Sequence, residues 1–140
     1  MKVCLDTNVV VSAVATRGLC ADLLMVILAE HDLVLGATVL AELRQVLARK
    51  IGVPKDTIRD LDGFLRRQAT IVPAGPATAH ASLDAADARV LGEAAAGGAD
   101  VLVTGDRGLL AVSDPPVEIL SPRGLWERLR SGPRGPRRAT

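Results

Sequence analysis

Residues 83–106 read LDAADARVLGEAAAGGADVLVTGD, and the fold is decided by this stretch. Asp84 and Asp87 open a helical run that Gly97 and Gly98 close, Val101–Val103 is a short apolar strand, and Asp106 emerges from a Thr-Gly-Asp turn just past it. Acids suit the positive end of a helix and a glycine pair suits its end, so the boundaries have a physical cause. The result is a helix-to-strand unit with a carboxylate at each functional end. In open α/β sheets ligands sit outside the carboxyl ends of parallel strands, which is where Asp106 falls; Asp87, on the first turn of the preceding helix, can face the same crevice.

Composition bounds what this unit belongs to. The 140 residues suit one compact domain, expected over 1–130, with a basic tail at 131–140. Almost half the residues are apolar, yet Phe64 and Trp126 are the only aromatics. The core must be aliphatic, which fits helices layered on a parallel sheet better than a single-strand binder built on several stacking rings. No signal peptide opens the sequence and no apolar run approaches the length of a membrane span, so a soluble, cytoplasmic protein is expected, with no membrane partner. Cys4 and Cys20 make neither a disulfide framework nor a zinc site, and Cys4 reads as a small buried hydrophobe. Residues 1–120 carry eleven Lys or Arg against fifteen Asp or Glu, and residues 121–140 six against one. An acidic body with a basic tail signals neither a duplex-DNA-binding domain nor a membrane-surface protein.

Upstream, Met1–Leu5 is a short buried strand followed at once by Asp6-Thr7-Asn8, and Val9–Ala15 begins a helix that Asp6 can cap. Ala21–Glu30 is apolar round most of its circumference, a well-buried helix, and Leu33–Leu35 is a second strand. Over Gly36–Arg49, Thr38 can cap and Val39, Leu40, Leu43, Val46 and Leu47 form an apolar stripe. Glu42 lies on or beside that stripe; it either reaches water at the edge or needs a cationic partner. Pro54–Gln68 is an amphipathic helix in which Asp62 and Arg66 can pair, and Arg59, Arg66 and Arg67 give it a basic edge that a solvated face explains equally well. Ala69–Val72 reads as a strand and 73–81 as a loop. Downstream, Arg107–Val112 is a short segment that Asp106 can cap, Val117–Leu120 a last strand, and Leu125–Leu129 a terminal helix with Trp126 inward. The tail SGPRGPRRAT has nothing to bury and is expected to be disordered.

Taken singly, Asp6, Asp84 with Asp87, and Asp106 are ordinary helix caps. What resists that account is their placement: Asp6 and Asp106 both follow strands directly, while Asp87 and Glu42 sit on helices that can flank those strands. Four carboxylates converging without matching cations repel one another unless something positive sits among them. With oxygen donors only, and His31 and His80 standing apart, the ion would be hard, Mg²⁺ or Mn²⁺ rather than Zn²⁺. Such ions activate water for in-line attack on a phosphodiester.

The succession VCLDTNVVVSA, ATVLAEL, DAADARVL and GGADVLVTGDRGLL resembles the PIN-domain family, particularly the toxin-like ribonucleases of VapC type, over Met1 to about Leu120. The resemblance implies a three-layer α/β/α sandwich with a central parallel sheet, an acidic cluster binding Mg²⁺ or Mn²⁺, endoribonuclease activity on RNA, homodimers and, for toxins, a cognate antitoxin. It carries the metal-binding and catalytic roles onto Asp6, Glu42, Asp87 and Asp106, gives Asn8 and Thr104 flanking positions that orient the cluster, and makes Asp84 an auxiliary acid. Relatives often carry another acid two residues past the last one, where this sequence has Gly108, which points to a single metal or weaker binding.

A phosphotransferase of the haloacid-dehalogenase type also places an Asp after its first strand, but wants a second acid where Asn8 stands. A Rossmann nucleotide-binding module lacks its GxGxxG. The stronger rival is a PIN-like RNA-binding or protein-interaction module with a weakened site, for which Gly108 gives some footing. All four principal acids remain, so the nuclease is favoured. On this reading Asp6→Asn should abolish cleavage and leave the fold intact or steadier, and RNA should be read through shape and phosphates.

Overall fold

The computed structural model describes residues 1–75 and 82–131. His80, the later part of the expected 73–81 loop, and the tail beyond Ser131 lie outside the described residues. Five strands, β1 (Lys2–Leu5), β2 (Asp32–Gly36), β3 (Ala69–Val72), β4 (Val101–Val103) and β5 (Glu118–Leu120), form one sheet in the order β3-β2-β1-β4-β5, every pair parallel. In the central strand, Cys4 stands beside Val34 of β2 and Leu102 of β4. The strands are continuous apolar runs because both faces are covered, the signature of a parallel sheet. The Cys4 thiol is buried there, and burial above all, with the charges of Asp6 and Glu93, pushes it up to about 12, so it stays an unreactive thiol.

Helices supply the covering layers: α1 (Thr7–Ala15), α2 (Leu19–Glu30), α3 (Ala37–Val46), α4 (Lys55–Gln68), α5 (Ala85–Ala96), α6 (Arg107–Leu110) and α7 (Pro122–Ser131). The chain steps from β1 outward to β2 and β3, then returns past both to lay β4 on the other side of β1. Right-handed crossovers that reverse direction must place their helices on opposite faces, which gives the α/β/α sandwich. The core is aliphatic, centred on Leu5, Leu23, Ile27, Leu35, Leu91 and Leu102. Among the described residues no single helix is long and apolar enough to cross a membrane.

Several local expectations need correction. Thr38 does not cap α3: the helix starts at Ala37 behind Gly36, and Thr38 instead donates its N–H and hydroxyl to Glu93 of α5, at 2.9 and 2.6 Å. A distant acid thus satisfies one orphan N–H of this helix end. The helix expected to run to Arg49 changes character at Leu47, where a π-helical turn (Leu47–Ile51) takes over and stops at Gly52, whose φ of 80° suits only glycine comfortably. The segment after Asp106 is helical only to Leu110, and the terminal helix starts three residues early, at Pro122. Helix α2 is less buried than its composition suggests, with Met25 68 % exposed. On α4 the Asp62–Arg66 pair forms at 2.8 Å, and Arg44 of α3 joins it at 3.1 Å.

Candidate active site

The strand order turns back between β1 and β4, so a crevice opens beyond their carboxyl ends. Both strands end in the residues of interest. Asp6 follows β1, and its N–H still bonds the Val103 carbonyl at 2.9 Å, so the ladder extends to the acid itself. One carboxylate oxygen, Oδ1, accepts from Thr7 N at 2.8 Å and starts α1. The other, Oδ2, accepts from the Thr104 hydroxyl at 2.6 Å and from Asn8 Nδ2 at 3.2 Å. Thr104, fully buried past β4, accepts in turn from Asp106 N at 2.9 Å, and Asn8 Oδ1 accepts from Gly105 N at 3.2 Å. One hydroxyl and one amide therefore lace the ends of the two strands together.

Asp106 spends its Oδ2 on capping α6 through Leu109 N, 2.9 Å away. Asp84 caps α5 by accepting from Asp87 N at 2.8 Å and does not line the cavity described below. The cap readings are thus true, and they are also the means of aiming: a capped helix fixes its acid at the mouth of the crevice. Asp87 reaches it by length. Glu93 packs against Gly36 at the end of β2, where a Cβ would run into its carboxylate, so Asp87, six residues earlier on α5, stands about 9 Å further along the helix, beyond the strand ends. Glu42 projects from α3 and accepts from the Thr7 hydroxyl at 2.5 Å.

Asp6, Glu42, Asp87 and Asp106 line one cavity of about 530 Å³, together with Thr7, Asn8, Val11, Ser12, Val46, Lys50 and Ile51. None of the four acids is in an ion pair among the described residues. Their charge therefore falls on one another. Asp87 is pushed up to about 6, first by burial and then by Asp106, Asp84, Asp6 and Glu42. Asp6 is raised too, by burial above all, against the pull of its bonds from Thr104 and Thr7. Among the described residues no three His, Cys, Asp or Glu side chains are gathered into a ready-made metal-ligand group; the four acids line one cavity without forming a closed ligand set. Their chemistry is nonetheless that of hard oxygen donors carrying uncompensated negative charge, which suits Mg²⁺ or Mn²⁺.

A family model described as PIN domain matches residues 2–108. The chain belongs to the PIN-domain family. That span takes in all four acids of the cavity. Solved structures with the same fold as this PIN domain include one of VapBC2 from Rickettsia felis bound to a DNA fragment from their promoter, with a TM-score of 0.62 and 18% identity over 86% of this chain and 98% of that one. FitAcB from Neisseria gonorrhoeae gives 0.57 and 20% over the same shares, and PAE2754 from Pyrobaculum aerophilum 0.63 and 19% over 94% and 91%. No curated protein sequence matches this PIN domain significantly.

Thr7, Lys50 and Glu93 escaped the sequence reading as parts of the site or its support. Thr7 had one available signal, its place between Asp6 and Asn8. Glu93 had none, because its partner lies 55 residues away on another helix.

Proposed function

We propose that this PIN domain is a metal-dependent endoribonuclease, the toxin of a toxin–antitoxin pair. The observation that carries the reading is the meeting of Asp6, Glu42, Asp87 and Asp106, from four separate elements, on one cavity at the β1/β4 switch point with no cation paired to them among the described residues. Asp6, Asp87 and Asp106 would hold Mg²⁺ or Mn²⁺, with Glu42 completing the set or positioning water; Asn8 and Thr104 hold Asp6 in place and Asp84 holds the start of α5. The bound ion supplies activation of water and stabilisation of the leaving oxygen of the phosphodiester. The chain's own contribution is orientation: the Thr104 hydroxyl fixes Asp6 Oδ2, the Thr7 hydroxyl fixes Glu42 Oε1, and burial of Asp6 at 5 % exposure keeps water from competing for it.

The antitoxin rests on the likeness to VapBC2, solved as a complex. A homodimer rests on the likeness to the PIN-domain family alone. The rival reading, an RNA-binding or protein-interaction module with a weakened site, is favoured by Gly108, which stands where relatives often carry another acid, and by the lack of a ready-made metal-ligand group among the described residues. Cleavage of a structured RNA with Mg²⁺, with Mn²⁺ and with chelator, beside Asp87→Asn and Asp106→Asn prepared identically, separates them. Metal-dependent cuts that both variants lose by at least 100-fold support the nuclease. Cuts common to all three preparations are contamination, and RNA binding without cutting supports the module.

A further inference from the structure

The cavity that holds the acids has a basic end. Lys50 lines it, and a second cavity of about 360 Å³, lined by Thr7, Glu42, Gln45, Val46, Arg49 and Lys50, shares four of its residues with the first. The two are one groove, running from the acids past Val46 to Arg49 and Lys50. Lys50 gets there through the π-helical turn. In an α-helix, a step of four residues oversteps a turn by about 40°, so Glu42, Val46 and Lys50 would drift by roughly 80° round the axis. A π turn takes more residues per revolution, which undoes part of that drift and brings Lys50 back to the face of Glu42. Although it shares a cavity with four acids, Lys50 is in no ion pair among the described residues, and neither is Arg49, whereas Arg44 of α3 and Arg59 and Arg66 of α4 are paired.

We infer that Arg49 and Lys50 hold the backbone phosphate that flanks the scissile one, with the intervening nucleoside lying over Val46 and Ile51, so that the π-helical turn sets where an RNA strand rests on the acids. This rests on the nuclease reading. A polyanion entering a crevice lined by four carboxylates needs a cationic foothold beside them, and the groove offers one on the same helix as Glu42. Both are positioning residues, acting through where they place the strand.

The test is binding of a fluorescent single-stranded oligoribonucleotide, followed by anisotropy across a salt series in chelator, with cleavage kinetics in Mn²⁺ alongside. It compares the wild type, Lys50→Gln, Arg49→Gln/Lys50→Gln, the charge-keeping Lys50→Arg, and Lys2→Gln, which makes the same charge change at the opposite end of β1. The double variant should bind about 10-fold more weakly, with a salt slope shallower by about 0.7 to 1, and should raise KM more than it lowers kcat. Lys50→Arg should restore most of the affinity, and Lys2→Gln should match the wild type. If the double variant melts early, Lys50→Gln alone is read, with a loss of about 3-fold. Equal affinity and slope in wild type and Gln variants overturn this assignment and leave the nuclease standing. A wild type that neither binds nor cuts RNA removes the nuclease reading, and this one with it.

Discussion

Thr104 shows how much one hydroxyl can be asked to do. It donates to Asp6 Oδ2 and accepts from Asp106 N in a place without solvent, so it fixes the acids of two strands at once. Thr104→Val removes both bonds and leaves a buried carboxylate oxygen and an N–H short of partners, at about 2–4 kcal/mol. Thr104→Ser keeps them. Thermal melts should show a marked drop for Val and a small one for Ser, and cleavage should follow the same order. The same network revises the expectation for Asp6→Asn. An amide at position 6 can serve Thr7 N or the Thr104 and Asn8 donors, but cannot accept from all three. The charge it relieves is offset by the bond it loses, and so Asp87→Asn is the cleaner variant. Asp87 has a folded pKa of about 6 against an ordinary 3.8, so the folded protein takes up that proton first, and for this group metal-free stability rises as pH falls from 7 towards 4. Asp87→Asn should therefore raise the metal-free melting temperature by about 2–4 °C at pH 7.5, a figure reduced for its partial exposure, by about half as much at pH 5, and by almost nothing once the pH is below the ordinary carboxylate value.

At the scale of elements, the support for the site is the junction of α3 with α5. Glu93 is 3 % exposed and takes both donors of Thr38, while Gly36 leaves it room. Glu93→Ala strips a helix start of its cap and opens a void, and about 2–4 kcal/mol of stability should go with it, read as a large fall in melting temperature. Because α3 carries Glu42, cleavage should weaken as well, beyond what the fraction unfolded explains. Much of the rest was legible in the sequence. Strands such as Val101–Val103 are apolar runs cut off abruptly by polar residues, and Asp6, Asp84 and Asp106 stand where helices need acceptors. What was hidden depended on partners far along the chain, or on a change of helical pitch. LGEAAA reads as helix without saying that Glu93 points inward, and nothing in LARKI distinguishes a π turn from one more turn of α-helix. Met25, in an apolar helix, reads as core until the neighbouring elements are in place and leave it uncovered.

For the whole molecule, the acids make the site a source of instability that a cation would turn into stability. A ligand that binds only the folded chain contributes about 2.7 kcal/mol at 100 times its Kd. Millimolar Mn²⁺ should raise the melting temperature by several degrees, chelator should reverse this, and the doubly substituted Asp87→Asn/Asp106→Asn protein should not respond. No response in the wild type would count against a metal site built on these residues.

The parallel sheet has a practical corollary. Every strand points its carboxyl end toward the cavity, so Met1 and Lys2 emerge at the far rim, where Lys2 N bonds Asp100 2.7 Å away. A biotin or a surface tether attached there would hold the molecule with its cavity turned outward. Immobilised on a sensor chip by that rim, the protein should present the whole groove to RNA flowing past.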